Sequence, residues 1–214
     1  MRQLSLLTVP AVLLSIAAPA AADVSVVPPG QKVAGRSYAQ WQVAWWQGLF
    51  ARPTGTSPCP SASAGPVLFL FGVASGKPQS HTCSVPEDKP IYVPGIGLEC
   101  STLEKAPFHG STAAQLKACA KRLWGGQKVT MSATLDGQDI PNVVTRYTIA
   151  TEAFAIRLPA KNILQSKKRS GRSAAKGVGL IFTGMSAGQH TLHVTGRLPK
   201  AHFKGEVTYT LNVR

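Results

Sequence analysis

Residues 206–213, Glu206-Val207-Thr208-Tyr209-Thr210-Leu211-Asn212-Val213, put Val207, Tyr209, Leu211 and Val213 on one side of an extended chain and the polar residues on the other, because successive strand side chains point to opposite faces. One face is buried and one is wet, as in an antiparallel sheet packed on a second layer. Upstream, short strand-like segments recur at Val129 to Leu135, Val143 to Ile149, Ala153 to Leu158, Val178 to Phe182 and Thr191 to Thr195. Turn residues separate them at Asp136-Gly137, Pro159, Gly184 and Gly188. Strands at this cadence predict a mainly β fold, an antiparallel β-sandwich of Ig-like or jelly-roll-like type.

The first half reads differently. Ser37 suits an N-cap for a helix over residues 37–50, in which Tyr38, Trp41, Trp45 and Leu49 recur at helical spacing and Arg52-Pro53 ends the run. The apolar segment Pro66 to Gly72 predicts the core strand of this half, and Ile91 to Pro94 a shorter strand closed by proline. A second helix is predicted from Thr112 to Trp124, with Thr112 and Gln115 as a capping box and the stripe Ala113, Leu116, Ala120 and Leu123. The expected fold is therefore a sandwich carrying two accessory helices.

Arg2, the apolar run Leu4 to Ile16 and the small residues before Asp23 form the pattern of a secretory signal peptide over residues 1–22. The run is shorter than the roughly 20 residues that span a bilayer, so no transmembrane anchor is expected, and residues 23–214 are read as one exported domain, periplasmic or extracellular. Cys59, Cys83, Cys100 and Cys119 would then meet an oxidising compartment. Three pairings are open to them. Sequence-local pairing, Cys59 with Cys83 and Cys100 with Cys119, is favoured because it ties the Pro-rich loop to the core strand and the second helix to the segment before it. No C-x-x-C pair is present, and no metal or other cofactor is expected.

The formal net charge is +14, and it is unevenly placed. Between Ala153 and Gly205 there is no Asp or Glu, whereas Arg157, Lys161, Lys167, Lys168, Arg169, Arg172, Lys176, Arg197, Lys200 and Lys204 all fall there. Such a field attracts polyanions and is weakened by salt. Residues 167–176 carry Lys167, Lys168, Arg169, Arg172 and Lys176 without apolar periodicity, and are read as a mobile loop and candidate contact for an anionic polysaccharide or cell envelope. Nucleic acid is excluded as a partner by export and by the lack of any zinc-finger or RNA-recognition pattern.

Candidate chemistry is sparse. Gly184-Met185-Ser186-Ala187-Gly188 matches G-x-S-x-G with His190 nearby, but a nucleophile elbow requires a helix where Gln189 to Thr195 reads as a strand. His190 and His193 are spaced for a metal pair, with Met131 and Met185 as soft ligands, yet on a strand the two histidines face opposite ways. His109 with Ser111, and Glu87-Asp88 with Glu99, are polar groups between the cysteines, suggestive of paired-carboxylate work on a glycosidic bond. Trp41 and Trp45 are expected to dock on the sheet, leaving Trp46 as the exposed ring for stacking on a ligand.

Trp41 to Trp46, Gly65 to Gly72, Cys83-Ser84-Val85-Pro86, Asp136-Gly137 and Ala187 to Leu192 together resemble segments of a group of uncharacterised exported bacterial proteins. The resemblance implies an exported β-rich domain and carries over no functional residue. The function expected is that of a secreted or envelope-associated, non-catalytic binding protein with a basic working face. Two rivals remain: an extracytoplasmic hydrolase built on Ser186, His190, Glu99 or His109, and a binder of a protein partner, an inhibitor or envelope component, acting through its aromatic helix.

Overall fold

The computed structural model describes residues 25–60, 65–72 and 76–214; the expected signal peptide, 1–22, lies outside them. In chain order the elements are β1 (Ser25–Val26), α1 (Tyr38–Ala51), β2 (Leu68–Phe69), β3 (Gln79–Val85), β4 (Ile91–Ser101), α2 (Ala113–Gly125), β5 (Thr130–Leu135), β6 (Gln138–Asp139), α3 (Val143–Tyr147), β7 (Thr148–Ala150), β8 (Phe154–Arg157), β9 (Ser170–Thr183), β10 (Gly188–Leu198), a 3-10 turn (Pro199–Ala201) and β11 (Phe203–Val213).

Two sheets form the expected sandwich. In the first, β9 is the axis: β4 runs along one edge, from Ile91 opposite Phe182 to Ser101 opposite Ser173, and β8, β7 and β1 follow one another along the other edge. The second sheet has the order β3-β11-β10-β5-β6, with the long β10–β11 hairpin at its centre. Most pairings are antiparallel, but β2 joins β4 and β3 joins β11 in parallel. Tyr92, Phe182, Leu192, Tyr209 and Leu211 are among the buried residues of the main core.

Helix α1 forms where its cap and spacing require. Ser37 Oγ accepts from the Gln40 N–H while Gln40 Oε1 accepts from the Ser37 N–H, satisfying two donors that the first turn leaves open. Trp45 and Trp41 dock as expected, their indole N–H groups donating to the Leu70 and Val33 carbonyls at 2.8 Å. Helix α2 carries the Thr112–Gln115 capping box, and its Cys119 is bonded to Cys100 of β4. The second disulfide joins Cys59 and Cys83, so the sequence-local pairing is the one formed.

Several boundaries differ from the sequence expectation for physical reasons. Within Pro66 to Gly72, Leu68–Phe69 alone is a strand, at the edge of its sheet; Val67, Leu68 and Leu70 are buried as predicted, but the Leu70 carbonyl goes to Trp45 and the Phe71 N–H to the Pro58 carbonyl. Strand β4 passes through Pro94 because the register shifts between Pro94 and Gly97, so the ring need not donate to the ladder. Val143 to Tyr147 is a short helix rather than a strand, burying Val143 and Tyr147 one turn apart. Most consequentially, 167–176 is not a mobile loop: from Ser170 onward it is the start of β9, with Ser173, Ala174 and Ala175 buried. Ala174 clusters with Leu116, Cys100, Cys119 and Ala120; small side chains are what allow α2 to pack closely over a central strand.

Candidate functional site

Between α1 and the two sheets lies a cavity of about 400 Å³. Gln42, Trp45, Trp46 and Leu49 form its helical wall, the Pro94–Leu98 bulge of β4 a second, and alternate parts of β10 (Val194 to Gly196, Leu198) and β11 (Phe203, Gly205 to Val207) a third. The sequence places a row of glycines here: Gly95, Gly97, Gly196 and Gly205 all line it, and Gly196 stands opposite Gly205 in the β10–β11 ladder. A Cβ on Gly196 would sit 3.1 Å from Ile96 Cδ1, and one on Gly205 3.1 Å from Phe203 Cζ. Their missing side chains let Ile96 and Phe203 pack close against the β10–β11 ladder at the cavity wall. Trp46, expected to be an exposed stacking ring, is instead half-buried in this wall, edge-on to Trp45 at 5.0 Å and stacked on Phe50 at 5.5 Å.

Gln42 is the polar exception on the helical wall. It is 2% exposed, and its Oε1 has no hydrogen-bond partner among the described residues. A buried acceptor left without a donor is costly. Sequence reading missed both this residue and the cavity, because a glutamine between two tryptophans carries no periodic signal of its own.

The basic residues fall into two groups. Arg157 and Arg172 are exposed on β8 and β9, where Arg172 faces Ala155 and Arg157 faces Ser170 across the ladder; the loop joining these strands carries exposed Lys161, Lys167 and Lys168. Arg169 has a structural task, its Nη1 donating to the carbonyls of Pro159, Ala160 and Ser166 at 2.9, 3.1 and 3.0 Å. Lys176 lies further along β9, half-exposed, between Leu98 and Ala150. Arg197, Lys200 and Lys204 are exposed around the β10–β11 turn, with Lys204 3.6 Å from Glu206.

The G-x-S-x-G segment bridges β9 of one sheet and β10 of the other. His190 is buried beneath it; its Nδ1 donates to Asp136 Oδ2 at 2.7 Å and its Nε2 to the Ser186 carbonyl at 3.0 Å, while Asp136 Oδ1 accepts from the Thr191 N–H. Burial lowers the His190 pKa, but the Asp136 and Ser186 acceptors outweigh it and hold the value above the ordinary one. With the backbone carbonyl of Ser186 on Nε2, this arrangement clamps a turn, and the ring is not presented to a serine hydroxyl. His193 points to the opposite face, 3.4 Å from Glu206; among the described residues no group of three metal-ligating side chains comes together.

The structure does not bring Glu87 and Asp88 to Glu99. The first two lie exposed before β4 begins, and Glu99 is near its far end, about 25 Å along the strand. Glu99 is buried instead beside Glu104, a residue the sequence reading passed over. Burial raises the Glu99 pKa well above the usual carboxyl range, the neighbouring Glu104 raises it further, and the Ser173 hydroxyl that donates to Glu99 Oε2 offsets part of this. His109 is exposed; its Nδ1 donates to the Glu104 carbonyl at 2.8 Å and its Nε2 accepts from Ser111 Oγ at 3.3 Å.

No protein-family profile matches this chain, and no curated protein matches it in sequence. Distant similarity is found to the solved structure of PbICP-C in complex with falcipain-2, with 11% identity over 70% of this chain and 100% of that one and a TM-score of 0.31. The cysteine protease inhibitor EhICP2 from Entamoeba histolytica gives 8% identity over 64% and 97%, with a TM-score of 0.22. Amebosin gives 13% identity over 64% and 99%, with a TM-score of 0.21. The two disulfides suit an oxidising environment outside the cytoplasm, and no described helix is long and apolar enough to cross a membrane.

Proposed function

We propose that this chain is an exported, non-catalytic binding protein that engages an anionic polymer or envelope surface. The observation that supports it is the placement of Arg157, Lys161, Lys167, Lys168 and Arg172 at one end of the first sheet, all exposed and all within the acid-free stretch. Arg169 positions the loop that joins β8 and β9, and Lys176 lies further along β9, toward the middle of the sheet. Cations held on a paired strand and its adjoining loop lose less freedom on binding than cations on a mobile loop.

The test is co-sedimentation of the oxidised mature protein with its own cell envelope and with acidic polysaccharides across a salt series. Binding should fall steeply as salt rises, and the Lys167→Glu/Lys168→Glu/Arg172→Glu variant should lose most of it. Binding that ignores salt and survives these reversals would overturn the reading in favour of a protein partner. Under the rival hydrolase reading, a serine-reactive probe would label the protein through Ser186; no Ser186-dependent labelling is expected, because His190 Nε2 is occupied by a carbonyl. Sequencing of the secreted chain's N-terminus tests export, with Asp23 expected first.

A further inference from the structure

We propose that the cavity between α1 and the two sheets binds a single-chain acidic amphiphile, its apolar chain inside the cavity and its carboxylate at the mouth. This goes beyond the reading above, because the cavity is a site separate from the basic end of the first sheet. Three observations converge on it.

The cavity is of ligand size, at about 400 Å³, within the roughly 300–1,000 Å³ of small-molecule sites. Apart from Gln42, Thr195 and Glu206 its walls are aromatic, aliphatic or glycine, which suits a hydrocarbon chain laid along Trp45, Trp46 and Phe203. Opposed glycines on adjacent strands set the shape of this wall, because any larger residue there would press on Ile96 or Phe203.

Lysines flank the mouth, although the one charged residue among those lining the cavity is Glu206. Ile163, 43% exposed, and the exposed Ala201 are lining residues that reach solvent. Lys161 stands two residues from Ile163, Lys200 adjoins Ala201 and Lys204 adjoins Phe203. Both lips thus come from the acid-free stretch, one from the β8–β9 loop and one from the β10–β11 turn. Facing them is Glu206, a lining residue whose carboxylate lies 3.6 Å from Lys204 and 3.4 Å from His193. The balance at the lips favours an anionic head.

Gln42 places one buried, unpartnered amide oxygen at this wall. A hydrocarbon chain gains nothing from it, so replacing it by leucine, of similar volume and without polar atoms, reports whether the chain enters the cavity.

The probe is 12-bromododecanoate below its micelle concentration, added to the oxidised mature protein while tryptophan emission is followed; bromine quenches only indoles that it touches. Saturable quenching is expected, and most of it should vanish in Trp46→Phe. Lys161→Glu/Lys200→Glu, both at exposed positions, should weaken bromododecanoate roughly tenfold and leave 12-bromododecanol unchanged. Gln42→Leu should tighten the acid several-fold. Absence of saturable quenching, or alcohol and acid binding alike, overturns the proposal. The Lys167→Glu/Lys168→Glu/Arg172→Glu variant separates the two readings: if it still takes up bromododecanoate but wild type ignores the envelope, the surface reading fails alone, and if wild type binds envelope but no amphiphile, the cavity reading does.

Discussion

His190 meets an acceptor at each ring nitrogen, Asp136 on one side and the Ser186 carbonyl on the other, so the imidazolium is the form that satisfies both. With its folded pKa raised, the stabilisation is fully present below the ordinary histidine value of about 6.5 and is lost as pH rises through the folded value. Thermal melts should therefore show stability falling as pH rises above about 6.5, and His190→Gln should flatten that slope; an unchanged slope would show that the clamp does not titrate. A second residue-scale test concerns Gly179, where an added Cβ would lie 2.6 Å from Tyr92 Cζ. Tyr92 is fully buried and has nowhere to retreat, so Gly179→Ala should destabilise by about 1–3 kcal/mol in chemical denaturation. The residue identities of the His190 clamp were legible in the chain, as a histidine on the apolar face of its strand and an Asp-Gly turn. Their meeting was not, because 54 residues separate Asp136 from His190.

At the scale of elements, α2 depends on its ends and its staple. Thr112→Ala removes one half of the capping box and should cost about 1 kcal/mol. Joining Cys100 to Cys119 closes a separation of 19 residues, for which chain entropy gives roughly 3 kcal/mol; replacing both by alanine should lower the melting temperature and speed amide exchange in α2 while leaving the second sheet protected. Both helices and both disulfides could be read from the sequence, because capping, helical spacing and cysteine proximity are local. The strands were read less well. Ser170 to Lys176 reads as a loop because Ser173, Ala174 and Ala175 lack apolar bulk, yet Ala174 packs under α2 while Ala175 packs on the opposite face against Phe50, Phe154 and Ile156. Asp136 at φ 51° and Gly137 at φ 79° form the turn of the β5–β6 hairpin, as the dipeptide predicts.

For the whole molecule, β9 is flanked on both edges for most of its length, so hydrogen exchange should find residues 174–182 among the slowest of the chain. Rapid exchange there would contradict the strand and, with it, a cationic surface held in place. The sequence by itself determined the β-sandwich class, the two long helices with their caps and the charge asymmetry, and it favoured the disulfide pairing that formed, because each is written in neighbours within a few turns or strands of one another. Tertiary structure alone decided which sheet each strand joined, the two parallel pairings, the burial of Glu99 beside Glu104, the turn-clamping task of His190, and the cavity. Those arise from segments tens to more than a hundred residues apart, brought into register by shared burial. The cavity is the extreme case: its shape exists only once α1, β4, β10 and β11 enclose it.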